Sequence, residues 1–73
     1  PDMDGEPTLD VTHIRTKADY HYAIGEAYSL DGESARAIEE FKLVTVYDPN
    51  SSSVRLRLAG EYLKQGLLTE AVE

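Results

Sequence analysis

A chain of 73 residues is long enough for one small unit, and a unit of that size buries only about 60% of the surface its unfolded form exposes. Fourteen acidic side chains against seven basic ones leave a net charge of −7, which excludes non-specific attraction to nucleic-acid phosphates and weakly favours basic partners. Without cysteine there is no disulfide framework, thiol nucleophile or cysteine zinc site. No run reaches the ~18 apolar residues of a membrane span, so membrane insertion is not expected. The compartment is left open, cytoplasm and cell envelope being equally compatible.

Residues 1–15 read as an acidic, largely disordered leader, in which Pro1, Gly5 and Pro7 interrupt Asp2, Asp4, Glu6 and Asp10 without periodicity. Asp2-Met3-Asp4-Gly5-Glu6 touches the calcium-loop pattern but lacks its third ligand and its later bidentate glutamate, so it is read as a solvated tail. Thr16 can accept a hydrogen bond from the amide of Asp19 and marks the start of a first helix, with a start one turn earlier at Thr12 as the alternative. His21, Ile24, Gly25 and Tyr28 recur at helical spacing as its inner face, and Asp31-Gly32 closes it.

Ser34 is a natural cap for a second helix that turns Ala37, Ile38, Phe41, Val44 and Thr45 inward. Val44-Thr45-Val46-Tyr47 suits a strand by propensity, but the helical spacing before it and Pro49 after it predict a helix and then a stop. Asn50 is placed to cap a third helix, from Ser51 to about Gln65, with Leu58, Ala59 and Tyr62 inward. Gly66 should close that helix and Thr69 should open the stub of a fourth.

The marks of the first two helices return after 34 residues: Gly25 as Ala59, Tyr28 as Tyr62, Gly32 as Gly66, Ala37 as Ala71 and Ile38 as Val72. A repeat of that period indicates a solenoid. Gly25, Tyr28, Gly32, Ala37, Phe41 and Pro49 resemble the tetratricopeptide repeat, over Ala18 to Glu73. The chain departs from the family at His21, where a tryptophan is common, at Val44, where alanine is usual, and in a second repeat that stops before its aromatic.

The resemblance implies an all-α fold of antiparallel helix–turn–helix repeats in a right-handed superhelical solenoid, with a first repeat at 16–51 and a second, truncated in its second helix, at 52–73. Such repeats hide their apolar faces only against neighbours, and about three are usually needed for stability, so the chain is read as a fragment. The resemblance also implies a concave groove lined by first helices. Its partner-binding positions here are Asp19, Tyr22, Glu26, Ser29 and Leu30, then Leu56, Arg57 and Lys64, with Ser53 and Gly60 beside them. Tyr22, Glu26 and Gly60 stand where carboxylate-clamp members carry a lysine and asparagines, so that clamp is absent.

Leu43 and Val46 form an apolar pair on the outer side of the second helix, and Leu58, Tyr62, Leu67 and Leu68 form a face that a completed fourth helix would cover. Together they are the expected self-association surface, through head-to-tail contact or exchange of helices in a homo-oligomer.

No catalytic or metal constellation is visible. His21 lies on the packing face and His13 in the leader, Glu39, Glu40 and Asp48 are expected to face solvent without an apolar pocket to raise their pKa, and serines 51–53 have no base beside them. The expectation is therefore a protein-interaction scaffold, not an enzyme, without cofactor, that binds a protein or peptide or self-associates. The alternative is a regulatory or substrate-presenting arm of a larger enzyme. A pentatricopeptide RNA binder is disfavoured by the acidic balance and the period.

Overall fold

The computed structural model describes residues 11–72, with side chains described as far as Leu67. Of the expected leader at 1–15, residues 1–10 lie outside the described residues, and 11–15 are not a disordered leader but the first turn of a helix. All of the described secondary structure is helical: α1 (Val11–Leu30), α2 (Ser34–Tyr47) and α3 (Ser52–Val72).

α1 runs through the position expected to cap it. The Thr16 hydroxyl donates back to the carbonyl of Thr12 at 2.8 Å instead of accepting from Asp19, so the helix is already formed at Val11: the expected start at Thr16 is corrected, and the alternative at Thr12 falls within one residue of the observed bound. A threonine hydroxyl serves either arrangement, and the choice depends on whether the preceding turn is helical.

Asp31-Gly32 ends α1 as expected. The Glu33 amide donates to the Tyr28 carbonyl at 2.8 Å and the Gly32 amide to the Ser29 carbonyl at 3.1 Å, the paired bonds of a Schellman motif. Gly32 supplies the left-handed residue, with φ of 79°. The chain reverses at once into α2. Ser34 is the first helical residue rather than the cap; Glu33 holds the cap position without a side-chain hydrogen bond, and Ser34 is buried at 6% exposure. Its hydroxyl lies towards Glu61 of α3 and favours the ionised form of that carboxylate.

The core lies between α1 and α2. Ala37 and Phe41 are fully buried, Val44 and Ala18 nearly so, and Val54 of α3 joins them, with Tyr22, Tyr28, Tyr47 and Leu58 packed around the cluster. Phe41 explains Gly25: a Cβ there would lie 2.7 Å from Cε1 and 2.9 Å from Cδ1 of the ring. The aromatic ring rests directly on the α1 backbone.

α3 begins at a cap one residue later than expected, since the Ser51 hydroxyl, not Asn50, accepts from the Val54 amide at 3.3 Å. It then continues through Gly66 to Val72 without a break, which corrects the expected closure at Gly66 and fourth-helix stub from Thr69. Among the described residues Gly32 is the glycine with positive φ. Lengthening an existing helix by Leu67–Val72 requires no new nucleus, whereas reversing the chain there would require one for a very short segment. α2 packs against both other helices, while α1 and α3 approach each other far less closely and are joined by long side chains.

Candidate partner-binding faces

Four of the expected groove residues meet one another across α1 and α3. Glu26 pairs with Arg57. Ser29 donates its hydroxyl to Oε2 of Glu61 at 2.7 Å, and Lys64 Nζ reaches both that oxygen and Ser29 Oγ at 3.2 Å. These contacts set α3 parallel to α1 with α2 behind them. They also mean that part of the expected groove is occupied by the chain's own polar lacing.

Glu61, at the centre of this lacing, is absent from the expected site. It is 3% exposed, and its Oε1 is buried without a hydrogen-bond partner. Burial pushes its carboxyl up, but hydrogen bonds from Ser29, Lys64 and Ser34 and the Lys64 charge together outweigh that and hold it below the ordinary glutamate value. A signal existed in the sequence: Val54, Leu58 and Glu61 fall on one helical stripe, so a carboxylate there must enter the interface. The Ser29 hydroxyl donates to an ionised carboxylate and accepts from an ammonium, an arrangement that ties the helices together.

The other groove residues are dispersed. Tyr22 is half-buried with its ring 5.5 Å from that of Phe41. With Asp19, Asp48 and Ser53 it lines a small polar cleft where α1 meets the start of α3. Leu30, at the end of α1, is 90% exposed, and Leu56 points away from the hairpin.

Of the expected self-association residues, Leu43, Val46, Tyr62 and Leu67 are exposed. Leu58 is not part of an open face: it packs against the core cluster, half-buried. The side chain of Leu68 lies outside the described residues. Leu63, which the sequence reading missed, is exposed between them and shares with Ala59, Tyr62, Gly66 and Leu67 a shallow apolar depression along α3.

The solvent-facing reading of Glu40 is corrected. Its Oε1 lies 2.7 Å from Nδ1 of His21, and that imidazole stacks on Tyr47 with centroids 5.9 Å apart and planes inclined by 6°. The pair is half-buried and links α1 to α2. Among the described residues no three His, Asp or Glu side chains gather in a group able to hold a metal ion, and no helix is long and apolar enough to cross a membrane. Compared with protein-family models, curated proteins and solved structures, the chain matches none.

Proposed function

We propose that the chain is a helical-repeat scaffold of the tetratricopeptide type, part of a right-handed superhelical solenoid that presents helix faces to another polypeptide and carries out no chemistry of its own. One observation carries the reading: the register of α3 beside α1. Glu26 meets Arg57 and Ser29 meets Glu61, at offsets of 31 and 32 residues. These offsets lie close to the 34-residue spacing that relates Gly25, Tyr28 and Gly32 to Ala59, Tyr62 and Gly66. Two first helices side by side and parallel, with a second helix behind, is the order that stacking of repeated hairpins produces.

The face offered to a partner is apolar with few charges, and its leucines are exposed. A protein or peptide with an apolar stripe fits it better than an ion or small polar ligand, since the depressions along α3 are shallow and open.

Completion of the second hairpin tests the reading. A chain in which residues 33–50 are repeated directly after Gly66 should place a second phenylalanine and alanine against Ala59 and Tyr62. Its melting temperature should rise, because stacked repeats add an interface term. An unchanged or lower melting temperature would refute the repeat reading. Selection from a displayed peptide library then tests binding: selected peptides should lose affinity for a Leu56→Glu, Leu63→Glu variant, and no enrichment over that variant would count against a docking face.

A further inference from the structure

α3 carries two opposite rows. The inner row, Val54, Leu58 and Glu61, packs against the rest of the chain. The outer row is Leu56, Gly60, Leu63 and Leu67, at spacings of four, three and four residues, the alternation that keeps one seam of a helix facing a partner helix. Leu56, Leu63 and Leu67 are 75%, 69% and 62% exposed, and a Cβ on Gly60 would meet nothing within 4 Å. The row therefore presents three protruding side chains and one hollow, of which only Leu67 borders α2, at the depression it shares with Ser34.

Charge is arranged around this row and not on it. The basic side chains that flank it on the same helix are engaged within the chain: Arg57 by Glu26, Lys64 by Glu61, and Arg55, which borders Leu56, by the carbonyl of Pro49. Arg55, Arg57 and Lys64 balance Glu61, Glu70 and Glu73 within 52–73, so the acidic surplus belongs to the first 51 residues. Two copies approaching through α1 and α2 would repel. Two copies approaching through the outer row of α3 would not.

We infer that the partner of this row is a second copy of the chain, the two α3 helices pairing antiparallel about a two-fold axis near Glu61 and Tyr62. In that register Leu63 of each protomer covers Gly60 of the other, and Leu56 of each lies beside Leu67 of the other. The hollow and the protrusion are exchanged by the symmetry, which makes the surface self-complementary, as an isologous contact requires. The area involved is on the order of 400 Å² per protomer against ~800 Å² in a standard interface. The contact is accordingly below standard size, and the dimer is expected to be weak. This inference deepens the scaffold reading by naming the partner of its α3 face. It differs from the head-to-tail contact through Leu43 and Val46, which is heterologous and would close into a ring or run on as a filament.

Sedimentation of the full chain from about 10 µM to about 1 mM should show the weight-average mass rising from 8.1 kDa toward twice that value. Leu63→Glu should keep the chain monomeric throughout with its helical circular dichroism intact, and Leu63→Ala, neutral for the helix, should weaken the dimer at least tenfold. Leu43→Glu should leave it unchanged. Because the chain has no cysteine, register can be read by oxidation: Gly60→Cys mixed with Leu63→Cys should cross-link, and Leu56→Cys alone should not.

A wild-type chain that stays monomeric to about 1 mM overturns the inference. So does a dimer that survives both Leu63 substitutions, one lost on Leu43→Glu, or efficient self-cross-linking of Leu56→Cys. A monomeric chain whose melting temperature still rises when the second hairpin is completed would sink the dimer and leave the repeat reading standing.

Discussion

Adding one methyl group at Gly25 should destabilise the chain even though it repairs a helix. Glycine in a helix interior costs about 1 kcal/mol relative to alanine, so propensity alone favours Gly25→Ala. The new Cβ, however, would stand 2.7 Å from Cε1, 2.9 Å from Cδ1 and 3.1 Å from Cζ of Phe41. That ring is fully buried and packs in one cluster with Ala18, Ala37, Val44 and Val54, so it yields only if α1 and α2 separate. Overpacking of this kind costs about 1–3 kcal/mol, which outweighs the propensity gain. The expected net loss is about 1 kcal/mol, or roughly 4–8 °C in Tm for a domain of this size.

The cause can be isolated with a second substitution. Phe41→Leu removes Cε1 and Cζ, two of the three ring atoms the methyl group would strike, and leaves room for the Cδ carbons to shift, so in that background Gly25→Ala should be much less costly or neutral, a coupling of about 1–3 kcal/mol between the two sites. Urea and thermal unfolding followed by circular dichroism on the four chains measures it. A Gly25→Ala chain that melts higher than wild type would refute the close contact. Additive effects of the two changes would show that Gly25 is present for some other reason.

Phe41→Ala should cost about 3–5 kcal/mol, most of a small domain's stability, leaving the chain largely unfolded by circular dichroism at room temperature. Gly32→Ala and Gly66→Ala should shift the melting temperature in opposite directions: the first forces a Cβ into a left-handed residue with φ of 79°, and the second restores propensity inside a continuous helix where nothing lies within 4 Å. Destabilisation by Gly66→Ala would instead mean that α3 turns there. Glu61 has a folded pKa below its unfolded value, so its contribution is present above the unfolded carboxylate range and is lost as pH falls through the folded pKa. Glu61→Gln should therefore lower stability at neutral pH and flatten the acid limb of the urea-melt stability profile, and an unchanged acid limb would show that Glu61 does not control it.

The α1–α2 hairpin was legible from sequence because its signals are local. Gly32 follows a polar residue and precedes a run, Ala37, Ile38, Phe41 and Val44, that needs a helix to cover it, and α1 lies within reach. Helical spacing before it and Pro49 after it were enough to prefer a helix at Val44 to Tyr47 over the strand that propensity suggests. The open apolar face was legible in part, through Tyr62 and Leu67, because exposure on a helix follows from phase. Leu63 has the same phase as Leu56 and could have been read with it.

The remainder depended on tertiary structure. Gly66 carries the same residue as Gly32 at the repeat position yet lies inside a helix, because glycine permits a left-handed turn without imposing one. A reversal forms only where the following segment gains enough contact to offset a new helix nucleus. Ser34 and Thr16 have hydroxyls that suit a cap, and each was drawn to a different partner: Ser34 to Glu61, Thr16 to the preceding turn. The pairings Glu26 with Arg57, Ser29 with Glu61 and His21 with Glu40 join residues 19 to 32 positions apart. Sequence alone set which residues share a helix face, since that follows from 3.6 residues per turn. Only the packed structure decided which faces meet, because helix register depends on where Phe41 seats against Gly25 and where Val54 closes the core.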